Sequence, residues 1–335
     1  MPLYHRTDRR SMLQTMVWTG CAICTTFSAA PAMAADYPNN PIKLIVPFAA
    51  GGSTDIVARV IAEGMRHTLG QTVIVDNRAG AGGLLGTEAI ANAPGDGYTI
   101  GMATASTLTV NPLLYQRAAK VSPKLQPVAN LVTMPAVLMV HPKVKANTLA
   151  ELIALDKAQP GTISSGVPGH GTLGHLMLAS MNQTLNSQIQ VVPYRGNGPA
   201  LNDTLAGTVQ VLLDQLPSSL PLVQSNKLKA LAVAGPERSA ALPQVPTFKE
   251  LGYESLNDLG ISWFGLVVPS NTPAAINEKI AAAATAAVQR LDVQKQLAKL
   301  GAMPTDLGNL TFTQQVKQQL QRNKQVLDKA GIEAE

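Results

Sequence analysis

Apolar and polar positions recur along this chain in one order: a short apolar run, a turn bearing glycine or proline, then apolar residues at helical spacing. IKLIVPF (42–48) passes through Ala49-Ala50-Gly51-Gly52 into a helix pattern over 53–68. TVIVDNR (72–78) leads into a glycine-rich turn and a helix near 83–92, and YTIGMAT (98–104) leads to Leu108 and beyond. Short apolar runs followed by helices predict parallel strands with right-handed crossovers, an α/β layer fold. The tail is helical from Pro273 to about Arg290 and from Thr311 to Lys329. Its segment AAAATAAVQR (281–290) is simply a strong helix former.

One pattern occurs twice. PAVLMVHPKVKANTLAELIAL (135–155) is an apolar strand, a proline turn and an amphipathic helix. SWFGLVVPSNTPAAINEKIAA (262–282) repeats that grammar. Two such strands suit two chain crossings between two lobes, the first lobe built from both chain ends and the second from the middle. Two ordinary strand–turn–helix units read the same way.

The first 34 residues change the picture. Arg6, Arg9 and Arg10 precede an uncharged stretch from Ser11 to Ala30, and Ala32-Met33-Ala34 then forms a cleavage signature. This reads as an export signal cut before Ala35. DRRSMLQ (8–14) resembles a twin-arginine signal, while a general secretory signal carrying two arginines fits equally. The lipoprotein reading of VWTGC (17–21) is weakened by bulky Trp18, and polar Thr and Gln residues dilute the segment against a membrane anchor. Cleavage removes Cys21 and Cys24, the only cysteines, and with them any disulfide, thiolate nucleophile or cysteine metal site.

The 335 residues are 46% hydrophobic and 14% charged, the composition of a globular chain long enough for two domains. The net charge of +5 is spread without a basic run, which gives no reason to expect nucleic acid.

The candidate chemistry lies in the turns. Gly51-Gly52 lets backbone approach a ligand, and Ser53-Thr54-Asp55 offers N–H groups and a capping side chain at a helix start. The lysine of a phosphate-binding loop and the spacing of a dinucleotide fingerprint are both missing. The turn is therefore an anion site rather than a nucleotide site, or a capped turn with no ligand. NRAGAGGLLG (77–86) and ATAST (103–107) are further polar turns at the same carboxyl edge of a parallel sheet, where ligands bind in open α/β folds. SSGVPGHGTLGHLML (164–178) adds a glycine turn with Thr172 placed to cap the next helix and His175 one turn in. His170 and His175 are five apart, which does not stack two ligands on one helical face, so neither metal nor cofactor is expected. No nucleophile elbow, metalloprotease motif or paired-acid loop is present. Asp55, Asp203 and Asp214 each have an ordinary capping or loop reading. The chain reads as a binder without chemistry of its own.

At these turns the sequence resembles the extracytoplasmic solute-binding proteins of tripartite tricarboxylate transporters, the Bug family. The similarity spans YPNNPIKLIVPFAAGGSTDIVAR (37–59), GQTVIVDNRAGAGGLLGTEAIANAPGDGYT (70–99) and PGHGTLGHL (168–176). It continues through VPYRGNGPALNDTLAGTVQVLLDQLPSSLP (192–221), LKALAVAGPERSAALPQVPTFKELGY (228–253) and SWFGLVVPSNTP (262–273). The resemblance implies a two-lobed type II periplasmic binding fold: residues 35–137 and 261–335 as one lobe, 138–260 as the other, and the repeated strands as crossovers. It implies a small carboxylated solute held by backbone amides and bridging waters in the cleft, permease subunits of a tripartite transporter as partners, a periplasmic location and a monomeric receptor.

Carried over by position, Phe48 and Gly51 to Asp55, thus Gly51, Gly52, Ser53 and Asp55, form the carboxylate turn of the first lobe, with Thr104 and Ser106 lining that lobe. Ser165, Gly169, Gly171 and Thr172 of the second lobe close over the ligand, with Asp214 beneath. That makes Gly52 and Gly171 the two jaws of a clamp. His170, between two glycines, and Arg195, where a lysine is common after Val192-Pro193-Tyr194, depart from the family pattern and bear on pocket length and charge. Two other classes of reading are an exported hydrolase-like α/β enzyme acting on a small anion and a partner-binding exported protein; a solute sensor without a dedicated permease is a third variant.

Overall fold

The computed structural model describes residues 37–330, so the export signal, its cleavage site, Cys21 and Cys24 lie outside the described residues. Strands β1 (Ile42–Val46), β2 (Val73–Asn77) and β3 (Thr99–Thr104) alternate with helices α1 (Ser53–Leu69) and α2 (Leu84–Ala91). Helices α3 (Asn111–Leu114) and α4 (Gln116–Val121) lead to the long strand β4 (Leu125–Val140). The middle of the chain runs through α5 (Leu149–Ala158), β5 (Ser164–Val167), α6 (Leu173–Leu185), β6 (Gln190–Pro193) and α7 (Asn197–Ala206). It continues with β7 (Val211–Gln215), α8 (Leu216–Gln224), β8 (Lys229–Val233) and α9 (Glu254–Leu259). Strand β9 (Ile261–Pro269), α10 (Ala274–Gln289), α11 (Leu291–Lys299), β10 (Met303–Gly308) and α12 (Asn309–Ala330) complete it.

The first sheet has the order β2-β1-β3-β9-β4-β10. Its strand β1 buries Ile42, Leu44, Ile45 and Val46 and exposes Lys43, as a central strand covered on both faces must. Helix α1 lays Val57, Ala58, Ile61, Ala62 and Met65 inward at spacings of three and four, and each large side chain contributes roughly 1.5–3 kcal/mol by burial. A side chain at Gly64 would stand 2.9 Å from Ala287 Cβ, so that glycine sets how closely α1 packs on α10. Gly70, at φ 64°, ends α1 by donating its N–H to Arg66 O.

Strand β4 joins this sheet to a second one. Its residues 125–135 pair with β9, and residues 136–140 pair with β7 and β8. The second sheet has β6-β5-β7 in parallel, with β4 and then β8 antiparallel. The switch falls at Pro135-Ala136: Ala136 N–H donates to Gly260 O at 2.8 Å, and its carbonyl accepts from Ala234 N–H at 2.8 Å. The chain returns beside it, Gly260 preceding β9. The repeated strand–turn–helix grammar therefore marks two neighbouring strands at the junction of the sheets.

Two details differ from the sequence expectation. Strand β4 starts at Leu125, ten residues before the apolar run at Pro135, because Gln126, Pro127 and Asn130 interrupt the alternation. Register shifts near Pro127 and Asn130 absorb those residues without ending the strand. Strand β9 runs antiparallel to both β3 and β4, so the first sheet is mixed rather than all parallel. At the tail, Phe312 of α12 packs edge-on to Trp263 of β9 with ring centroids 5.0 Å apart. The same helix reaches both sheets' layers through Asn323 Nδ2 to Thr109 O at 3.1 Å and Gln183 Nε2 to Lys329 O at 2.6 Å.

Candidate functional site

The turn from β1 into α1 is built to leave backbone donors open. Gly51 has φ +81°, and Gly52 caps the helix in an extended conformation without a side-chain cap bond. The first N–H groups of α1, from Ser53 and Thr54, therefore point past the helix end with no carbonyl of their own helix to meet. Asp55 is not turned to the cleft. Its carboxylate accepts the Gly51 N–H at 3.1 Å and Arg59 Nε at 3.1 Å, and Arg59 Nη2 lies 2.9 Å from its other oxygen. Burial alone would raise its pKa, but hydrogen bonds from Arg59 and Gly51 outweigh that and hold it below the usual carboxylate range. Asp55 thus fixes the turn while Arg59 cancels its charge.

The segment facing this turn is Gly196-Asn197-Gly198, the start of α7. Ala49 N–H donates to Arg195 O at 3.0 Å, and a Cβ on Gly52 would lie 3.2 Å from Gly198 N and 3.6 Å from Asn197 N. Two helix N-termini, one from each lobe, thus approach at the distance that only glycines permit. Ser53 ties α1 to the start of α8 as well: its hydroxyl lies 2.6 Å from Ser218 Oγ, 3.0 Å from Gln215 O, and accepts the Ser218 N–H at 3.0 Å.

Asp214 anchors the second-lobe side. It is 1% exposed and accepts from Ser218 Oγ and Ser219 Oγ, each at 2.6 Å, from Gln215 N–H at 2.7 Å, and from Asn197 Nδ2. Burial pushes its carboxyl up to about 6 against those four hydrogen bonds, which pull it down.

The glycine turn at 168–172 docks elsewhere. A Cβ on Gly169 would meet Gly82 Cα at 2.9 Å, Gly171 packs on the Tyr115 ring, and Gly82 itself, at φ +59°, leaves no room for a side chain against His170 O. Thr172 caps α6, accepting His175 N–H at 3.4 Å and donating to Gly169 O at 2.7 Å. Leu173 N–H, at the start of α6, crosses to Ser106 Oγ at 3.0 Å. Gly52 is therefore opposed by Gly198 and Asn197, not by Gly171. The turn at 168–172 closes on the turn at 80–83 instead.

Between these contacts lies a narrow cavity, about 20 Å³ measured as room for the centre of a water molecule, close to what one water needs. Of the residues singled out in the sequence, Phe48, Gly52, Ser53, Thr104 and Ser106 line it. Gly51, Asp55, Ser165, Gly169, Gly171, Thr172 and Asp214 do not; Ser165 is buried within β5, and the others hold the turns from behind or pack beside it. Thr54, Pro168, Asn197, Gln215, Ser262 and Phe264 complete the wall. Sequence reading passed over Asn197 and Gln215, although both stand at strand–helix junctions of the kind it had flagged elsewhere. Ser262 and Phe264 carry no local signal, since β9 reaches the cavity only through the antiparallel return. His170 and Arg195 are exposed and outside the cavity. His170 meets His175 edge to face at 5.2 Å, and among the described residues no cluster of three metal-ligating side chains occurs.

No side chain of Lys, Arg, Asp or Glu lines this wall. An anion here is held by oriented N–H groups and hydroxyls. A helix N-terminus contributes roughly 0.3–1 kcal/mol, up to about 2 when partly buried, and each hydrogen bond to a charged group about 1.5–3 kcal/mol.

Two α/β lobes joined by adjacent strands, with helix starts from both turned to the cleft between them, define the class of two-lobed periplasmic binding proteins. The sequence profile described as "Tripartite tricarboxylate transporter family receptor" matches residues 57–332. The chain belongs to this family of solute-binding receptors, a family of receptors and not of enzymes. Protein BugT of Bordetella pertussis is 38% identical over 296 residues, 88% of this chain and 90% of that protein. The solved structure of MatC from Rhodopseudomonas palustris, with bound malate, is 31% identical with TM-score 0.83, covering 87% of this chain and all of that one. A second R. palustris structure, with adipate, is 30% identical with TM-score 0.85, covering 90% and 100%. Membership of a periplasmic binding protein family implies the periplasm. Among the described residues no helix is long and apolar enough to cross a membrane.

Proposed function

We propose that this receptor captures a small organic carboxylate between the N-termini of α1 and α7 and presents it to the permease subunits of a tripartite transporter. The observation that carries this reading is the pairing of two helix starts across a wall without charged side chains. Such a wall suits an anion of limited charge and holds no carboxylate to pair with a cation. The malate and adipate held by two relatives fit the same chemistry. The cavity has room for about one water and not for a dicarboxylate, so admission requires the lobes to part, with the hinge at Pro135-Ala136 and Gly260-Ile261. On this reading residues 35–137 and 261–335 move as one lobe against 138–260, in a monomeric receptor exported with cleavage before Ala35. It binds and releases its solute without altering it.

The test is calorimetric titration with mono-, di- and tricarboxylates, beside the variant Gly52→Val. The added side chain would be driven into Gly198 and Asn197 across the cleft, so the variant should fold, with an unchanged far-ultraviolet spectrum, and lose binding. In the wild type, ligand at 100 times its dissociation constant should raise stability by about 2.7 kcal/mol. A folded Gly52→Val protein that retains its affinity would move the anion site elsewhere.

A further inference from the structure

Resting on that reading, we propose that capture of the carboxylate is coupled to protonation of Asp214, the buried carboxyl directly behind the cavity wall. Its four hydrogen-bond donors, the Ser218 and Ser219 hydroxyls, the Gln215 N–H and the Asn197 amide, are all neutral. Two of them belong to wall residues, Asn197 and Gln215. A third, Ser218 Oγ, lies 2.6 Å from the hydroxyl of Ser53, which lines the cavity from the other lobe. An anion in the cavity is therefore separated from Asp214 by one layer of side chains, in a place closed to bulk water.

Two carboxylates in such a site disfavour each other's charge, and the weaker acid takes a proton. At an effective dielectric of about 20, a like charge about 8 Å away raises a carboxyl's proton affinity roughly thirtyfold. The solute faces helix starts, which favour its ionised form. Asp214 is already the weaker acid, lifted by burial to about 6, so it is the one that yields. A solute bound at neutral pH thus brings a proton onto Asp214, and affinity rises as pH falls.

The surrounding charges leave this role to Asp214. Of the elements packed against it, β4, β5 and α8 carry no charged residue. Helix α7 carries only Asp203, which accepts from Tyr194 Oη at 2.6 Å. Helix α6 carries only His175, beside His170; its Nδ1 accepts the Gly171 N–H, and burial holds its pKa below the usual range. Helix α1 brings Asp55 paired with Arg59, and beyond them Glu63 with Arg66 and His67.

The experiment is calorimetric titration with lactate, malate, tartrate and adipate, all ionised over the range used, pH 6.5–8.5. Repeating it in buffers of different protonation enthalpy counts the protons taken up. Wild type should take up about half a proton or more per solute at pH 7, and its affinity should tighten about five- to tenfold from pH 8.5 to 6.5. In Asp214→Asn the uptake should vanish and affinity should become flat with pH. Ser219→Ala removes a donor to Asp214 from a residue that does not line the cavity, so it should move the pH dependence to higher pH. Solute binding without proton uptake, uptake that survives in Asp214→Asn, or an unmoved profile in Ser219→Ala would each overturn the inference while leaving the carboxylate receptor standing. If none of the four acids bound the wild type, both readings would fall.

Discussion

Asp214 offers a quantitative test of the wall behind the cavity. Replacing it with asparagine keeps the shape and removes the charge. The new amide can present its oxygen to the Gln215 N–H and Asn197 Nδ2, and its NH₂ to Ser218 and Ser219, whose hydroxyls rotate to accept. In the wild type, burial lifts this carboxyl from its ordinary 3.8 to about 6. Because the folded value is raised, the folded protein keeps the proton to higher pH than the unfolded chain does. The stabilisation is fully present below about 3.8 and is lost as pH rises through about 6. At about 1.4 kcal/mol per unit, the loss totals about 3 kcal/mol. Urea unfolding of wild type and Asp214→Asn at intervals from pH 4 to 8 isolates this term, because all other titrating groups are common to both. The stability of wild type relative to the variant should fall by about 2.4 kcal/mol between pH 4 and 8, the rest of the loss lying below pH 4. A flat difference, or one that grows with pH, would mean that the carboxylate is better compensated than its burial and four donors indicate.

Thr172→Ala should cost about 1 kcal/mol of stability through loss of the α6 cap, read as a lower urea midpoint at unchanged slope. An unchanged midpoint would show that the 3.4 Å bond to His175 N–H carries nothing. Gly82→Ala places a side chain against His170 O at a φ of +59°, so it should weaken ligand affinity by hindering lobe closure, at a stability cost of about 1–2 kcal/mol. Small-angle scattering of the saturated variant should show a larger radius of gyration than the saturated wild type. Equal radii and equal affinities would contradict the role given to the 80–83 and 168–170 contact.

Much of the first lobe was legible because its signals are local. The strands at 42–46, 73–77 and 99–104 and the helix from Ser53 fell within a residue or two of their apolar runs and glycine punctuation. Thr172 as a cap could be read for the same reason, since a capping side chain acts over three residues. Strand β4 was legible only in its second half. Its first half alternates poorly, and what makes it a strand is pairing with β9, whose residues lie more than a hundred positions further on.

The sequence by itself determined the α/β class, the glycine turns at strand ends and the family. Each follows from periodicity, residue type or a run of motifs in order. The tertiary structure alone decided which turns face each other. Gly52 meets Gly198 and Asn197, and Gly169 meets Gly82, because β4 runs through both sheets and the chain returns beside it into β9, setting the two lobes in one register. That pairing is a sum of backbone contacts across the whole fold, which no stretch of sequence encodes locally.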